Sequence, residues 1–300
     1  MSATAAAHAA KPADQSAGIT VVPITKHIGA DIIGINLTQP ISDAQFAQIH
    51  DAWMQHQVLR FRGQNMTKEQ LQAFSRRFGE LDKAPINTSG KPWVEGFPDM
   101  TVMSNIKVDG RAIGGLGYGE AVWHTDMSYN DITPSGALLY GVEVTKSGGE
   151  TGFLNMYHAY ETLPADLKAA IEGKTIKHDA SRNSAGDLRA GFKAVTDPRE
   201  APGAVHPVVV RHPVTGRKAL FLGRRPFGYV TGMSLEDSEA LLNRLWAHAS
   251  QEDLAWFQKW KVGDLLIWDN RCVMHKRTAF DENERRLLYR TQIKGVRPQA

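Results

Sequence analysis

Residues 123–126, Trp123-His124-Thr125-Asp126, form the most informative stretch of this 300-residue chain. If the stretch is a β-strand, its side chains alternate, so that His124 and Asp126 share a face, about 6.6 Å apart, and Thr125 points the other way. An imidazole and a carboxylate so placed can chelate one metal ion, and a distant histidine would complete a set of two histidines and one carboxylate. A structural His–Asp hydrogen bond has the same spacing, so the pair alone leaves both interpretations open.

A second stretch, near the C-terminus, ends at His275, a candidate for the third ligand. It reads Trp268-Asp269-Asn270-Arg271-Cys272-Val273-Met274-His275. In the predicted strand that follows, Arg286 and Arg290 share one face, whereas Arg285 points the other way. Two arginines that face one cavity are costly to bury unless anions meet them, and arginine binds a carboxylate through two parallel hydrogen bonds. The two stretches together favour a metal site beside an anion-binding pocket.

The composition excludes several classes of protein. Hydrophobic residues make up 42% of the chain, which is enough for a sizeable core and rules out a disordered chain. The single cysteine, Cys272, rules out a disulfide framework and a zinc site built from cysteines. A formal net charge of +3 is too small to indicate nucleic-acid binding. No apolar run approaches the roughly 18 residues that span a membrane.

The N-terminal segment differs from the rest of the chain. Residues 1–18 are rich in alanine, with scattered polar residues and Pro12, and we expect a disordered tail. The segment lacks the basic start and apolar stretch of a signal peptide, so we expect a cytoplasmic protein. Residues 19–300 are predicted to form a single domain.

The pattern of secondary structure is many short strands with few helices. The predicted strands include residues 58–62, 101–107, 137–144, 151–156, 264–268 and 286–293, and the predicted helices begin near residues 43, 68, 157 and 234. Such a pattern favours a mainly β fold, a sandwich or barrel with flanking helices, over an alternating βαβ fold. Two irregular stretches, residues 111–121 and 178–203, are candidates for a lid.

Several motifs, taken jointly, carry a family resemblance over about residues 19–297. They are Arg77-Phe78-Gly79-Glu80-Leu81, Trp123-His124-Thr125-Asp126, Gly148-Gly149-Glu150-Thr151, Trp268-Asp269-Asn270-Arg271 and Arg285-Arg286. In these the chain resembles the Fe(II)/2-oxoglutarate-dependent dioxygenases of the taurine dioxygenase and phenoxyalkanoate dioxygenase (TauD/TfdA) family. The resemblance implies a double-stranded β-helix, or jelly roll, with flanking helices, and a homo-oligomer, either a dimer or a tetramer.

The resemblance also implies a reaction and a role for each site residue. The reaction couples oxidative decarboxylation of 2-oxoglutarate, giving succinate and CO₂, to hydroxylation of a small anionic substrate by O₂. The residues that match the Fe(II) ligands are His124, Asp126 and His275. Arg286 and Thr151 match the residues that bind the distal carboxylate of 2-oxoglutarate. Arg290 matches an arginine that holds the anionic group of the substrate, and no catalytic residue is implied beyond the metal centre.

Departures from the family pattern bear on the substrate. Taurine dioxygenase has a histidine for the sulfonate after its R-F-G-E-L motif, whereas this chain reads Asp82-Lys83-Ala84-Pro85. Glu120 stands where the taurine enzyme has an asparagine near its substrate. Taurine is therefore not the expected substrate, and residues 104–110 look closer to the branch that cleaves the ether bond of phenoxyalkanoates.

Other interpretations stay open at this point. The same chemistry on an alkyl sulfonate or a sulfate ester would use the same residues. A metal-dependent hydrolase or a cupin-type enzyme could use the two histidines and the aspartate without 2-oxoglutarate, and a binding protein could keep them as a relic. Thr151 could simply begin a strand, Asp269 more readily caps a turn than binds metal, and Cys272 is expected to fill the core.

Overall fold

The computed structural model describes most of the chain. The described residues are 18–87, 90–116, 121–183, 186–189 and 191–300. The predicted N-terminal tail, apart from Gly18, lies outside them, as do Glu120 and parts of both predicted loops. The described residues are mostly β-sheet with five α-helices, which confirms the predicted mainly β class.

The elements follow one another in this order along the chain. The strands are β1 (Thr20–Pro23), β2 (Ala30–Ile33), β3 (Val58–Phe61), β4 (Met100–Ser104), β5 (Lys107–Val108), β6 (Arg111–Ala112), β7 (Gly115–Leu116), β8 (Ala121–His124), β9 (Gly136–Glu143), β10 (Thr151–Asn155), β11 (Thr175–Lys177), β12 (Val205–Pro207), β13 (Val209–Arg211), β14 (Lys218–Leu220), β15 (Tyr229–Val230), β16 (Trp256–Gln258), β17 (Leu265–Asp269), β18 (Val273–Arg277) and β19 (Leu287–Ile293). The helices are α1 (Asp43–His56), α2 (Lys68–Arg76), α3 (Met156–Glu161), α4 (Ala165–Ile171) and α5 (Leu235–Ala249).

The largest sheet has eight strands in the order β1-β2-β3-β17-β9-β19-β4-β7. Its central strands are buried on both faces, and their side chains alternate between two parts of the core. Leu265 and Ile267 of β17 pack towards α1 and α2, whereas Leu266 and Trp268 face a second sheet.

The second sheet has the order β16-β10-β18-β8 and lies opposite the centre of the first. Phe153 of β10 and Trp268 of β17 meet between the two sheets, with ring centroids 5.8 Å apart. The candidate site residues lie in this space, on or just after β8, on β10 and β18 of one sheet, and on or beside β19 of the other.

The helix starts agree with the capping signals in the sequence. Ser42 and Thr67 cap α1 and α2, and each forms a capping box with the glutamine three residues later. The predicted helix over residues 157–172 is wrong as a single element, because it is broken into α3 and α4. Pro164 lies at the break, since proline restricts the residue before it and donates no backbone hydrogen bond.

Candidate active site

The three residues predicted to bind metal converge in the space between the sheets. Asp126 Oδ1 lies 3.7 Å from His124 Nε2 and 3.8 Å from His275 Nε2. All three side chains are buried, and their candidate ligand atoms lie within 4.8 Å of one another. The two histidines are register partners on the neighbouring strands β8 and β18, and this pairing brings their rings to 4.2 Å.

Asp126 reaches this position by a different route from the one that the sequence predicts. Strand β8 ends at His124, so strand alternation does not place the carboxylate. The Asn270 side chain holds the backbone of Asp126 instead: it accepts from the Asp126 N–H at 2.8 Å and donates to the Asp126 carbonyl at 3.0 Å. The strand geometry on which the expected spacing depended therefore does not extend to residue 126, although His124 and Asp126 converge as expected.

The protonation states in this cluster suit a divalent cation. His124 Nδ1 lies 2.7 Å from the Val122 carbonyl, so it carries the proton and leaves Nε2 free to bind metal. Burial lowers the pKa of His275 to about 3, which keeps this imidazole neutral. Burial alone would raise the pKa of the Asp126 carboxyl, but Arg290, His275 and His124 hold it well below its usual value. Two imidazoles and one carboxylate are the donor set that Fe(II) takes in non-haem oxygenases, so these residues fit the implied ion.

Arg290, predicted to hold the substrate, lies beside the candidate metal ligands. Its Nη1 is 3.3 Å from Asp126 Oδ1 and 3.5 Å from Asp126 Oδ2. The guanidinium therefore balances the buried carboxylate, and Arg290 Nε, itself buried, has no hydrogen-bond partner among the described residues. Arg290 lines both the inner cavity and the cavity at the mouth of the site.

Arg286 and Thr151 lie together at the far end of the inner cavity. Arg286 is 4% exposed, and burial lowers the pKa of its guanidinium. Among the described residues, that guanidinium has one hydrogen-bond partner, the Gly149 carbonyl at 3.3 Å, and no carboxylate lies within 4 Å of it. A buried cation without an acidic partner in the protein is a strong indication of an anion-binding end.

The glycine pair before Thr151 makes room for this arginine. Gly148 and Gly149 both have φ near +70°, a conformation that favours glycine. A Cβ on Gly149 would lie 3.3 Å from Arg286 Nε, and one on Gly148 would lie 2.5 Å from the Ala279 carbonyl oxygen. The motif thus packs the turn directly against the anion-binding end.

Trp260 is a site residue that sequence reasoning missed. Its indole N–H donates to Thr151 Oγ1 at 3.0 Å. Because an indole can only donate, the Thr151 hydroxyl must direct its own proton elsewhere, and Thr151 lines the inner cavity, where an acceptor can bind. Nothing in the local sequence distinguishes Trp260 from the other tryptophans, so only the fold could identify it.

The mouth of the site is a cavity of about 330 Å³ above His124 and Asp126. Three arginines line it, together with the aromatic residues Trp93 and Tyr129. The arginines are Arg189, Arg224 and Arg290. The guanidinium carbons of Arg189 and Arg224 lie 4.6 and 5.4 Å from the centre of the Tyr129 ring. Apart from Asp126, no acidic side chain of the described residues lines this cavity.

Several separate segments form this mouth. The predicted lid stretch at residues 178–203 contributes Asn183 and Arg189, and the stretch at residues 111–121 contributes Gly115. Pro85 and Ile86 come from the segment in which the taurine enzyme has its substrate histidine, and Trp93 follows it in the chain.

A second buried group, His212, Asp269 and Cys272, also has ligand atoms close together. Its carboxylate is already committed, because Asp269 accepts from Arg271 through both oxygens and lies 3.0 Å from His212 Nε2. The Arg271 backbone N–H also bonds to Asp269, which makes Asp269 the turn cap that the sequence suggests. Burial raises the pKa of the Cys272 thiol, so the group does not suit a cation. The larger cavity beside it, about 570 Å³, is lined partly by the C-terminal residues and lacks the site residues described above.

Two facing sheets that enclose two imidazoles, a carboxylate and a buried arginine define a class: metal-dependent oxygenases with an anionic co-substrate. The model of the taurine catabolism dioxygenase TauD, TfdA family matches residues 20–292. The chain belongs to this family and is a 2-oxoglutarate-dependent dioxygenase, which uses Fe(II), 2-oxoglutarate and O₂. Among the described residues, the helices are all too short or too polar to cross a membrane.

Three similar proteins illustrate the range of the family. The chain is 33% identical over 283 residues to the alpha-ketoglutarate-dependent 2,4-dichlorophenoxyacetate dioxygenase of Cupriavidus pinatubonensis, covering 89% of this chain and 95% of that protein. It is 30% identical to the (S)-phenoxypropionate/alpha-ketoglutarate-dioxygenase of Sphingobium herbicidovorans, covering 93% and 96%. The crystal structure of a taurine dioxygenase from Burkholderia xenovorans superposes with a TM-score of 0.74 at 31% identity, covering 94% and 93%.

Proposed function

We propose that His124, Asp126 and His275 bind Fe(II) in this dioxygenase and that Arg286 and Thr151 bind the distal carboxylate of 2-oxoglutarate. One observation carries this proposal: Arg286, buried and without an acidic partner among the described residues, shares a cavity with His124 and His275, whose ring nitrogens converge on the Asp126 carboxylate. A metal-dependent hydrolase or cupin-type enzyme would have no use for such an arginine. The oxygenase is therefore the function that the geometry supports best.

The residues of the chain position the reactants and exclude water. When bound, Fe(II) supplies the redox chemistry that activates O₂. Arg286 and the Thr151 hydroxyl hold one end of 2-oxoglutarate, so that its 2-oxo acid end points towards the histidines. Trp268 and Leu139 line the inner cavity and keep it dry. In the overall reaction, 2-oxoglutarate, O₂ and a substrate C–H group give succinate, CO₂ and the hydroxylated substrate.

The proposed substrate is a small aromatic carboxylate of the phenoxyalkanoate type. Arg290, Arg189 and Arg224 supply positive charge at the mouth of the site, and Trp93 and Tyr129 supply flat apolar surface. Both named phenoxyalkanoate dioxygenases support this class. Hydroxylation of a carbon that bears an ether oxygen gives a hemiacetal, which collapses to a phenol and a carbonyl compound with cleavage of the C–O bond.

An alkyl sulfonate or a sulfate ester is the second candidate, because the arginines at the mouth would bind a sulfonate as well as a carboxylate. The similarity to a taurine dioxygenase supports it. Against taurine itself, Pro85 and Ile86 line the mouth in the segment where the taurine enzyme has its histidine.

Four broader features belong to the same proposal. The two facing, largely antiparallel sheets support a jelly-roll core. One domain over residues 19–300 is supported by the core between the two sheets and by the core that joins the larger sheet to α1 and α2. A homo-oligomer, either dimer or tetramer, is supported by the edge strand β1, where Val22 is exposed, and light scattering would test it. A cytoplasmic location is supported by the single cysteine, which is unpaired and buried.

The first test is anaerobic visible absorption of the purified protein with Fe(II) and 2-oxoglutarate. A charge-transfer band that needs both components is expected, and the Asp126→Ala variant is expected to lack it. Succinate release would then be measured with phenoxyacetate, 2,4-dichlorophenoxyacetate, (S)-2-phenoxypropionate, an alkyl sulfate and taurine. We expect the phenoxy acids to stimulate release most. Iron binding without the band would refute the proposed 2-oxoglutarate site, and stimulation by sulfates alone would favour the second substrate class.

A further inference from the structure

Arg277 lies two residues beyond His275 on β18, and side chains at this spacing share one face of a strand. The intervening Lys276 points the other way: its Nζ pairs with Glu252 at 2.7 Å and lies 5.1 Å from the Trp123 ring centre. Arg277 lines the inner cavity together with His275; Lys276 also borders this cavity, but its ammonium group is turned away towards Glu252. It is 8% exposed, so its charge is buried there.

The strand register places Arg277 at the far end of that cavity. On β10, Phe153 is the register partner of His275, and Thr151 is the partner of Arg277. The step of two residues from the metal level to this level is about 7 Å. That distance is comparable with the length of extended 2-oxoglutarate, a five-carbon dicarboxylic acid. Arg277 therefore lies where the distal carboxylate of 2-oxoglutarate would be.

Arg277 and Arg286 meet at one aromatic ring. Their guanidinium carbons lie 5.4 and 5.8 Å from the centre of the Phe280 ring, and both side chains line the cavity with Thr151. Two buried like charges in one cavity disfavour each other, and the charge of Arg277 adds to burial in lowering the pKa of Arg286. A carboxylate between them would relieve this repulsion.

We propose that Arg277 is a second cation for the distal carboxylate of 2-oxoglutarate and acts beside Arg286. This inference rests on the proposed function and extends it, because neither the sequence motifs nor the comparisons assign a role to Arg277. Two cations for one carboxylate make the pocket selective for a 2-oxo acid with a charged far end. A neutral-tailed 2-oxo acid of the same length would offer neither guanidinium a carboxylate, at the end of the cavity where Arg286 has none within 4 Å among the described residues.

The test compares two ligands that differ only at that end. Dissociation constants of 2-oxoglutarate and 2-oxovalerate, which has a methyl group in place of the distal carboxylate, would be measured by anaerobic calorimetry on the Fe(II)-loaded protein. The variants are Arg277→Met and Arg277→Lys. Arg285→Met is the matched control, because Arg285 is exposed and pairs with Glu143 outside the cavity.

For Arg277→Met we expect 2-oxoglutarate to bind about 10- to 100-fold more weakly, the usual range for losing a charge-assisted hydrogen bond. Binding of 2-oxovalerate should change less than about twofold, since it makes no such contact. Arg277→Lys keeps the charge and so guards against misfolding. It should weaken 2-oxoglutarate binding about threefold to tenfold, because lysine lacks the planar fork. The control should match the wild type with both ligands.

Three results would overturn the inference. Equal weakening of both ligands by Arg277→Met would assign Arg277 a structural role. No change with either ligand in both variants would exclude it from the pocket. If the wild-type protein itself does not bind 2-oxoglutarate, the proposed function fails first, and this result is distinguishable from the other two.

Discussion

The two ends of the inner cavity differ in how their charges are balanced. At the metal end, the Asp126 carboxylate is paired with Arg290, and the imidazole of His275 is neutral. At the far end, Arg277 and Arg286 are both buried cations, and Arg286 has no carboxylate of the described residues within 4 Å. Among the described residues, the metal end is thus balanced internally, whereas Arg286 at the far end is left for the proposed co-substrate to balance.

Of the substitutions considered, removal of the Asp126 carboxylate at the metal end should lower succinate formation most. Asp126→Ala is expected to lower succinate formation about a thousandfold or more, because a metal ligand supports several kcal/mol of transition-state stabilisation. Bound iron, measured on the purified variant, should fall in parallel. Asp131→Ala is the control, since Asp131 is exposed and pairs only loosely with Arg297 at 3.6 Å. Retention of substantial activity and iron by Asp126→Ala would exclude Asp126 as a ligand.

At the far end, Arg286→Met is expected to raise the KM for 2-oxoglutarate about 10- to 100-fold. The kcat at saturating 2-oxoglutarate should change little, because Arg286 binds the end of the molecule that does not react. Steady-state kinetics at varied 2-oxoglutarate measures both. An unchanged KM would place the co-substrate elsewhere and remove the contrast between the two ends.

Arg290 lines both the inner cavity and the mouth of the site. An Arg290 variant therefore tests whether this side chain serves the substrate or the metal end. Arg290→Met is expected to raise the KM for a phenoxy acid substrate about tenfold, as expected for one lost charge-assisted contact. The KM for 2-oxoglutarate should rise less than about threefold. Kinetics with each ligand varied in turn gives both values. If iron affinity falls and the substrate KM does not change, Arg290 orients Asp126 and does not bind substrate.

A smaller rise in the KM for 2-oxoglutarate than with Arg286→Met is expected for Trp260, which donates a hydrogen bond to Thr151 at the far end of the cavity. Trp260→Phe removes the indole N–H and should raise the KM for 2-oxoglutarate about threefold to tenfold, as for one neutral hydrogen bond. The same change in a Thr151→Val background should have no further effect, which a double-mutant cycle measures. Additive effects would show that Trp260 acts independently of Thr151. Trp246→Phe, on α5 away from the cavity, is the control.

The fold class and the candidate ligands were predictable because they depend on local sequence. Short strands, the caps at Ser42 and Thr67, and the side chains of His124, Asp126 and His275 can all be recognised within a few residues. The prediction of a single helix over residues 157–172 was wrong because it followed the helical spacing of apolar residues and gave no weight to Pro164, where the helix is interrupted. The spacing argument for Asp126 assumed a strand through residue 126, whereas no local signal marks the end of β8 at His124.

The sequence by itself determined which chemical groups are available: two imidazoles, a carboxylate, and arginines suited to carboxylates. The tertiary structure alone decided how they meet. Asn270 holds Asp126 from 144 residues away, and Trp260 reaches Thr151 across 109 residues. Arg277 meets Arg286 because strand register and the loop between β18 and β19 bring them to one ring. The physical reason is that side-chain chemistry belongs to each residue, whereas distances across a sheet depend on the pairing of strands far apart in the chain.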